Sequence, residues 1–294
     1  MHDAFITAGT PVIVQGITGR AGRTHTRHML AYGTRIVGGV SPREEDVEGV
    51  PLFRDCASAV AATGAAASVA IVPPLSVLPA ILEAVNAGIR TIVTLTEGMP
   101  IHDAVKAKAA VRSAGARWIG ASTPGLAIPG RLKMGFLPDV SLAPGDLGVM
   151  SKSGTLSYEV CHRLVVRGMG QSLWVGVGGD PVKGTRFADL LPVFAADPGT
   201  RALVVIGEIG GDEEEELAAA IMAQGLAKPV YALIAGQSSR EGVTMGHAGA
   251  LIHGETGTVA SKTRALTAAG ARVFTRIGDL VDAVAGVRRE GAAA

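Results

Sequence analysis

One histidine in this sequence stands where little could cover it. His247 lies in the run Met245-Gly246-His247-Ala248-Gly249-Ala250, between two glycines and small alanines. Glycine is used where backbone must approach something closely, so this imidazole is a candidate for chemistry. A carboxylate is available to orient it. The strand-like run at residues 202–206 leads into Gly207-Glu208-Ile209-Gly210-Gly211, which sets Glu208 at the carboxyl end of a buried strand. A charge there is costly unless it faces a cleft or a partner. Glu208 could hold one ring nitrogen of His247 and leave the other free to attack phosphorus, the logic of an oriented nucleophile. A metal role is poorly supported, because no other His or Cys has ligand spacing to His247. The remaining histidines read by default as surface or core residues.

Phosphate-binding loops are the second kind of chemistry in view. Gln15-Gly16-Ile17-Thr18-Gly19-Arg20-Ala21-Gly22 follows a strand-like run and opens a helix-like one. Such a turn brings backbone amides and a helix N-terminus onto a phosphate. The spacing is G-x-x-G-x-x-G, not the dinucleotide G-x-G-x-x-G, and strand–helix packing alone would also use these glycines. After the second strand a NAD site wants an acid, but Val40-Ser41-Pro42-Arg43 stands there. Arg43 suits a phosphorylated ribose, as in NADP or coenzyme A, or is a solvated surface arginine. Ser151-Lys152-Ser153-Gly154-Thr155 opens another helix, as an anion site or simply as a good N-cap.

The elements that must position these residues alternate. In the first half, strands are expected at residues 11–15, 35–40, 68–72, 90–95 and 117–119. Helices are expected from the glycine loop to about residue 32, then at 56–62, 77–87 and 104–114. This alternation predicts parallel strands with right-handed crossovers. Residues 122–145 dissolve into Pro and Gly, an expected irregular connection. The second half restarts, with strands at 147–150, 173–177, 202–206, 229–235 and 272–274, and helices at 155–167, 187–195, 213–224 and 258–269. The fold class expected is α/β, with a Rossmann-like domain over residues 1–122, a connection over 123–145 and a flavodoxin-like doubly wound domain over 146–294.

Composition agrees. At 294 residues the chain can build two cores, and 48% hydrophobic against 18% charged residues excludes disorder. A net charge of +1 and 4% aromatics give no case for nucleic acid or an acidic membrane surface. Between Asp55 and Glu83 no charge occurs, but Gly64, Pro73, Pro74 and Pro79 break that stretch into helix, buried strand and helix, not a membrane span. Cys56 and Cys161 read as two thiols in a reducing cytosol, and no signal peptide is visible, so a soluble cytoplasmic protein is expected.

Together the runs VQGITGRAG, AYGTRIVGGVSP, TLTEGMP, SKSGTLSYE, VGVGGDPVKGTRF, VVIGEIGG and MGHAGA resemble the α subunits of the succinyl-CoA synthetase family, over nearly the whole chain. The resemblance implies a coenzyme A-binding first domain, a second domain carrying a phosphohistidine, and a separate ATP-grasp β-type subunit supplying the ATP or GTP site with Mg. By position, His247 would be phosphorylated and Glu208 would be its hydrogen-bonding partner. Thr18, Gly19, Arg20, Ala21, Leu95, Thr96 and Glu97 would lie along coenzyme A, with Arg43 taking over a 3′-phosphate contact. Ser153, Gly154 and Thr155 would receive the phosphate, and Tyr158 would mark the side of the small carboxylic acid. The family's P-N-C-P-G is replaced by Ala121-Ser122-Thr123-Pro124-Gly125, so the acyl region at Ser122, Thr123 and Pro124 leaves the acid open between succinate and another carboxylate, as in malate–CoA ligase. A coenzyme A-binding regulatory or scaffold protein without catalysis is the alternative. A nicotinamide-dependent dehydrogenase is disfavoured by the glycine spacing.

Overall fold

The computed structural model of the chain describes residues 6–43, 45–236, 249 and 257–291, with side chains to residue 286. Two compact units are present: Met1–Leu137 with Gly176–Thr185, and Pro138–Val175 with Arg186–Ala294.

The first unit begins β1 (Val12–Gln15), α1 (Arg20–Ala31), β2 (Ile36–Val40), β3 (Leu52–Phe53), α2 (Cys56–Thr63) and β4 (Ala67–Ala70). It continues α3 (Val77–Asn86), β5 (Thr91–Thr94), α4 (Ile101–Ser113) and β6 (Arg117–Ile119). The strands lie in the order β3-β2-β1-β4-β5-β6, all pairs parallel. That is the Rossmann order, with its switch point between β1 and β4. β1, β4 and β5 are buried at every residue, as in parallel sheets covered on both faces. The uncharged stretch after Asp55 is α2, β4 and α3, and no described helix is long and apolar enough to cross a membrane.

The segment expected to be irregular is not. It contains an antiparallel hairpin, β7 (Gly125–Ile128) and β8 (Leu132–Gly135), with Gly125 opposite Gly135. A Cβ on Gly125 would stand 1.9 Å from the Met134 carbonyl oxygen, so the strands approach only because both positions are glycine. Glycines that looked like loop punctuation are here the condition for pairing.

The second unit runs β9 (Pro144–Ser151), α5 (Gly154–Val166), β10 (Gln171–Gly176), α6 (Phe187–Ala196), β11 (Ala202–Glu208) and α7 (Glu213–Gln224). It ends β12 (Val230–Ala235), α8 (Val259–Ala268), β13 (Arg272–Phe274) and α9 (Ile277–Gly291). The order β13-β12-β11-β9-β10 is 5-4-3-1-2 in the unit's own count, the flavodoxin-like arrangement with its switch point between β9 and β11. β9, β11, β12 and β13 pair in parallel. The core includes Val149, Met150, Phe194, Leu203, Val204, Val205 and Ile206, all fully buried.

The turn from β1 into α1 tolerates no side chain on its last glycine. A Cβ on Gly22 would lie 2.2 Å from the Gly16 carbonyl oxygen, whereas one on Gly19, at φ −65°, would come no closer than 3.3 Å. Gly22→Ala is therefore expected to lower stability by about 1–3 kcal/mol, the usual cost of overpacking, with Gly19→Ala nearly neutral. Urea unfolding followed by circular dichroism compares the two, and equal midpoints for both variants would contradict the close-packed turn.

Candidate functional site

In the first unit the α1 start is open. Gly19 is its N-cap, no side chain caps it, and no acidic residue lies in its first turn. Its free N–H groups and dipole are therefore available to an anion. Gly16, at φ +77°, lets the chain turn there against the Ile71 carbonyl, where a Cβ would sit 2.4 Å away. Thr18 and Ser41 bridge the ends of β1 and β2, Oγ1 to Oγ at 2.7 Å, and the Arg43 N–H donates to Ser41 Oγ at 3.0 Å. Arg23 pins the turn from behind. Its Nε donates to the Thr18 carbonyl at 3.1 Å, and its guanidinium pairs with Glu45. Gly19, Arg20, Ala21 and Arg43 are exposed, and Arg43 lies 3.9 Å from Glu45.

Leu95, Thr96 and Glu97 leave the end of β5 on the same sheet edge. The Leu95 N–H donates to Ala70 O at 3.3 Å and the Thr96 hydroxyl to Val72 O at 2.6 Å. The Thr96 carbonyl accepts from the Ser122 N–H at 2.9 Å, which brings the 122–124 turn to this edge. Ser122 is at φ +54°, a left-handed conformation uncommon outside glycine. The Thr123 hydroxyl donates to Gly176 O at 2.5 Å and accepts from Gly125 N at 3.0 Å, and both Thr123 and Pro124 are buried. Lys183, also buried, donates to Gly178 O at 2.5 Å on the loop whose Gly179 N–H meets Ser122 O at 3.4 Å.

In the second unit, Glu208 and the α5 start sit side by side. Ile206 pairs with Ser151 across β11 and β9, so Glu208 and Ser153, each two residues further on, leave the sheet at the same level. This is the switch point, where such sheets bind ligands. Ser153 caps α5, its Oγ accepting from the Leu156 N–H at 3.4 Å, and Ser151 Oγ accepts from the Ser153 N–H at 3.1 Å. No acid lies in the first turn, and Thr155 is exposed. Tyr158 follows one turn later. Its hydroxyl is buried without a partner among the described residues, and burial pushes its pKa up. Glu208 pairs with Ala235, the last residue of β12. His247 lies outside the described residues.

Behind this edge is a buried charge cluster. Glu214 is fully buried, and its Oε2 accepts from Lys152 Nζ at 2.9 Å and from Lys262 Nζ. Its Oε1 accepts from the Glu208 N–H at 3.1 Å. Glu213 adds a second carboxylate 3.7 Å from Lys152. Lys152 also donates to Gly210 O at 3.4 Å and Lys262 to Gly211 O at 3.0 Å. Burial disfavours the Lys152 ammonium, but Glu214, then Glu213 and Glu208, outweigh it and hold its pKa above the lysine value. Burial likewise disfavours the Glu214 carboxylate, and Lys152 and Lys262 outweigh it, holding its pKa below the usual 4.5.

Known proteins with related chains fit this geometry. A CoA binding domain family matches residues 7–98 and a CoA-ligase family residues 150–272. A chain of Archaeoglobus fulgidus, succinate–CoA ligase [ADP-forming] subunit alpha 1, is 45% identical over 282 residues, covering 95% of this chain and 96% of its own. The ADP-forming sulfoacetate-CoA ligase subunit SauD of Bilophila wadsworthia is 41% identical over 290 residues, covering 96% and 99%. This chain belongs to the succinate–CoA ligase α-subunit family. Among solved structures, ATP citrate lyase from Methanothrix soehngenii in complex with citrate and coenzyme A superposes with a TM-score of 0.87 at 22% identity, over 98% of this chain and 52% of that one. A dinucleotide-forming acetyl-coenzyme A synthetase of Ca. Korarchaeum cryptofilum gives 0.77 at 24%, over 93% and 59%. These two share the fold, and this chain spans little more than half their length.

Within this α-subunit family chain, Lys152, Lys183, Glu214 and Lys262 are the site-flanking residues that motif reading passes over. Lys152 stood inside a quoted motif, and its charge next to a helix N-terminus was the available signal. Glu214 sets a pH dependence of known sign. Its folded pKa is depressed, so its stabilisation is full above the unfolded value near 4.5 and is lost as pH falls through the lower folded value. Glu214→Gln leaves two buried ammonium groups short of a counter-charge and is expected to cost about 3–5 kcal/mol near neutral pH. Below pH 4.5 the gap between variant and wild type should close as the wild-type carboxyl gains its proton. Urea midpoints measured from neutral pH downward check this, and a constant gap would contradict it.

Proposed function

We propose that this chain is the α-type subunit of an NTP-dependent, NDP-forming acid–CoA ligase working through a phosphohistidine at His247, in the cytoplasm. The observation that carries the reading is the level placement of Glu208 and the α5 start at the β9/β11 switch point, with β12 leaving the same edge beside Glu208 toward the segment that bears His247. The partner is an ATP-grasp β-type subunit that holds ATP or GTP with Mg. The γ-phosphoryl group passes to an imidazole nitrogen of His247 with release of NDP, while Glu208 accepts a hydrogen bond from the other ring nitrogen and keeps it oriented. The phosphoryl oxygens are received at the α5 start by the Ser153 hydroxyl and the N–H groups of Gly154 and Thr155. A carboxylate oxygen of a small acid then attacks phosphorus, giving an acyl phosphate and restoring neutral His247. Capture by the thiol of coenzyme A yields the acyl-CoA and inorganic phosphate.

The residues at the α1 start fit coenzyme A. Thr18, Gly19, Arg20 and Ala21 hold its diphosphate at the uncapped helix start, Leu95, Thr96 and Glu97 flank it, and Arg43 takes the 3′-phosphate. Tyr158, Ser122, Thr123 and Pro124 mark the acid side, with succinate or a related dicarboxylate as substrate. In this reading the buried Tyr158 hydroxyl, without a partner among the described residues, finds its hydrogen bond in the reacting acid.

Terminally labelled ATP, supplied with the β-type partner, is expected to leave acid-labile, base-stable label on the wild-type chain and none on His247→Ala. Absence of label with the partner bound would overturn the ligase reading. Arg43→Ala is expected to weaken coenzyme A about tenfold, the value of one charge-assisted contact, and to leave dephospho-CoA binding unchanged. Calorimetry separates the two ligands, and equal weakening of both would remove Arg43 from the 3′-phosphate.

A further inference from the structure

Glu214 touches the framework of the candidate site at three elements. One oxygen accepts from the Glu208 main-chain N–H at 3.1 Å. The other accepts from Lys152 Nζ at 2.9 Å, immediately before the Ser153 cap, and from Lys262 Nζ on α8. Through the two lysines it also ties down the Gly210 and Gly211 carbonyls that follow Glu208. Gly207 is required for this approach, since a Cβ there would lie 2.4 Å from Glu214 Oε1. One carboxylate thus joins the end of β11, the start of α5 and the body of α8. All the joined groups lie in the second unit.

We propose that Glu214 is a positioning residue for phosphoryl transfer, holding the Glu208-bearing end of β11 and the phosphate-receiving start of α5 at a fixed separation through Lys152, with Lys262 as its second anchor. The inference rests on the proposed ligase reading, since it assumes that phosphorus is transferred at this edge. Glu214 does not touch substrate. It acts through Glu208 and Lys152, neither of which can shift without breaking a buried charge-assisted hydrogen bond. A neutral Gln keeps an acceptor for the Glu208 N–H and loses the charge that holds the two ammonium groups, so β9 and β11 remain paired while the spacing of the two site elements relaxes.

The test uses the whole chain in complex with its ATP-grasp partner and reads the rate of histidine labelling from terminally labelled ATP, alongside the KM for coenzyme A. Glu214→Gln is expected to slow labelling about 100-fold, the penalty of a displacement near 1 Å, with the KM for coenzyme A unchanged. A second variant, Lys152→Met with Glu214→Leu and Lys262→Met, replaces the cluster by apolar groups of similar size. Such replacements commonly restore or raise stability. A positioning role requires that this triple variant recover the urea midpoint but stay slow. Recovery of labelling together with stability would show a purely structural cluster and overturn the proposal, as would wild-type labelling by Glu214→Gln. The triple variant decides the matter alone if Glu214→Gln fails to fold. Failure of the unaltered chain to take label defeats the ligase reading itself, and this inference with it.

Discussion

A carboxylate with no exposed surface, held between two ammonium groups, is the interaction on which the second unit's site depends. Removing such charges from water costs several kcal/mol per ion even after relaxation, and mutual attraction offsets that only with good geometry and satisfied hydrogen bonds. Here the geometry is present. Glu214 uses both oxygens, and each lysine finds a carbonyl besides. Glu214 also sits in the first turn of α7, where the helix dipole favours negative charge. An apolar cluster would fill the same space, but it would tolerate sliding. Directional hydrogen bonds do not, and they link βα elements 62 and 48 residues apart in the chain.

That long separation is why the cluster was invisible in the sequence. Asp212-Glu213-Glu214-Glu215-Glu216 reads as a solvated acidic helix start, and most such runs are. Two of its members, Glu213 and Glu214, are instead buried, while Glu216 is exposed. Only the tertiary fold supplies Lys152 and Lys262 as partners. The strands and the two glycine-led helix starts were legible, because β-branched runs, caps and tight turns are local decisions. The β7–β8 hairpin was not. Its pairing depends on Gly125 meeting Gly135, and neighbouring prolines gave every local sign of a loop. The two-residue β3 is too short to carry a period, and glycines at 278 and 286 masked the helical pattern of α9.

Both units solve the same physical problem with the same device. A parallel sheet ends all its strands at one edge, and reversing the strand order there opens a crevice lined by helix N-termini. In the first unit the edge is left without a cap at Gly19, which suits an extended, multiply charged ligand lying across several strand ends. In the second, Ser153 caps the helix and Lys152, paired with Glu214, ties its start to the end of β11. In the proposed reading the first arrangement binds along a length. The second fits a single phosphoryl group beside one carboxylate.

The 122–124 turn follows a different logic, that of rigidity. The turn carries Ser122 and Thr123. The Thr123 hydroxyl both donates and accepts, to Gly176 O and from Gly125 N, a pair of bonds for which a thiol is a weak substitute. Ser122 keeps a left-handed backbone because its N–H and carbonyl are both held, by Thr96 and Gly179. With the backbone so held, the turn presents its side chains from fixed positions. In the proposed reading the acid meets the side chains this turn presents, above all the Ser122 hydroxyl.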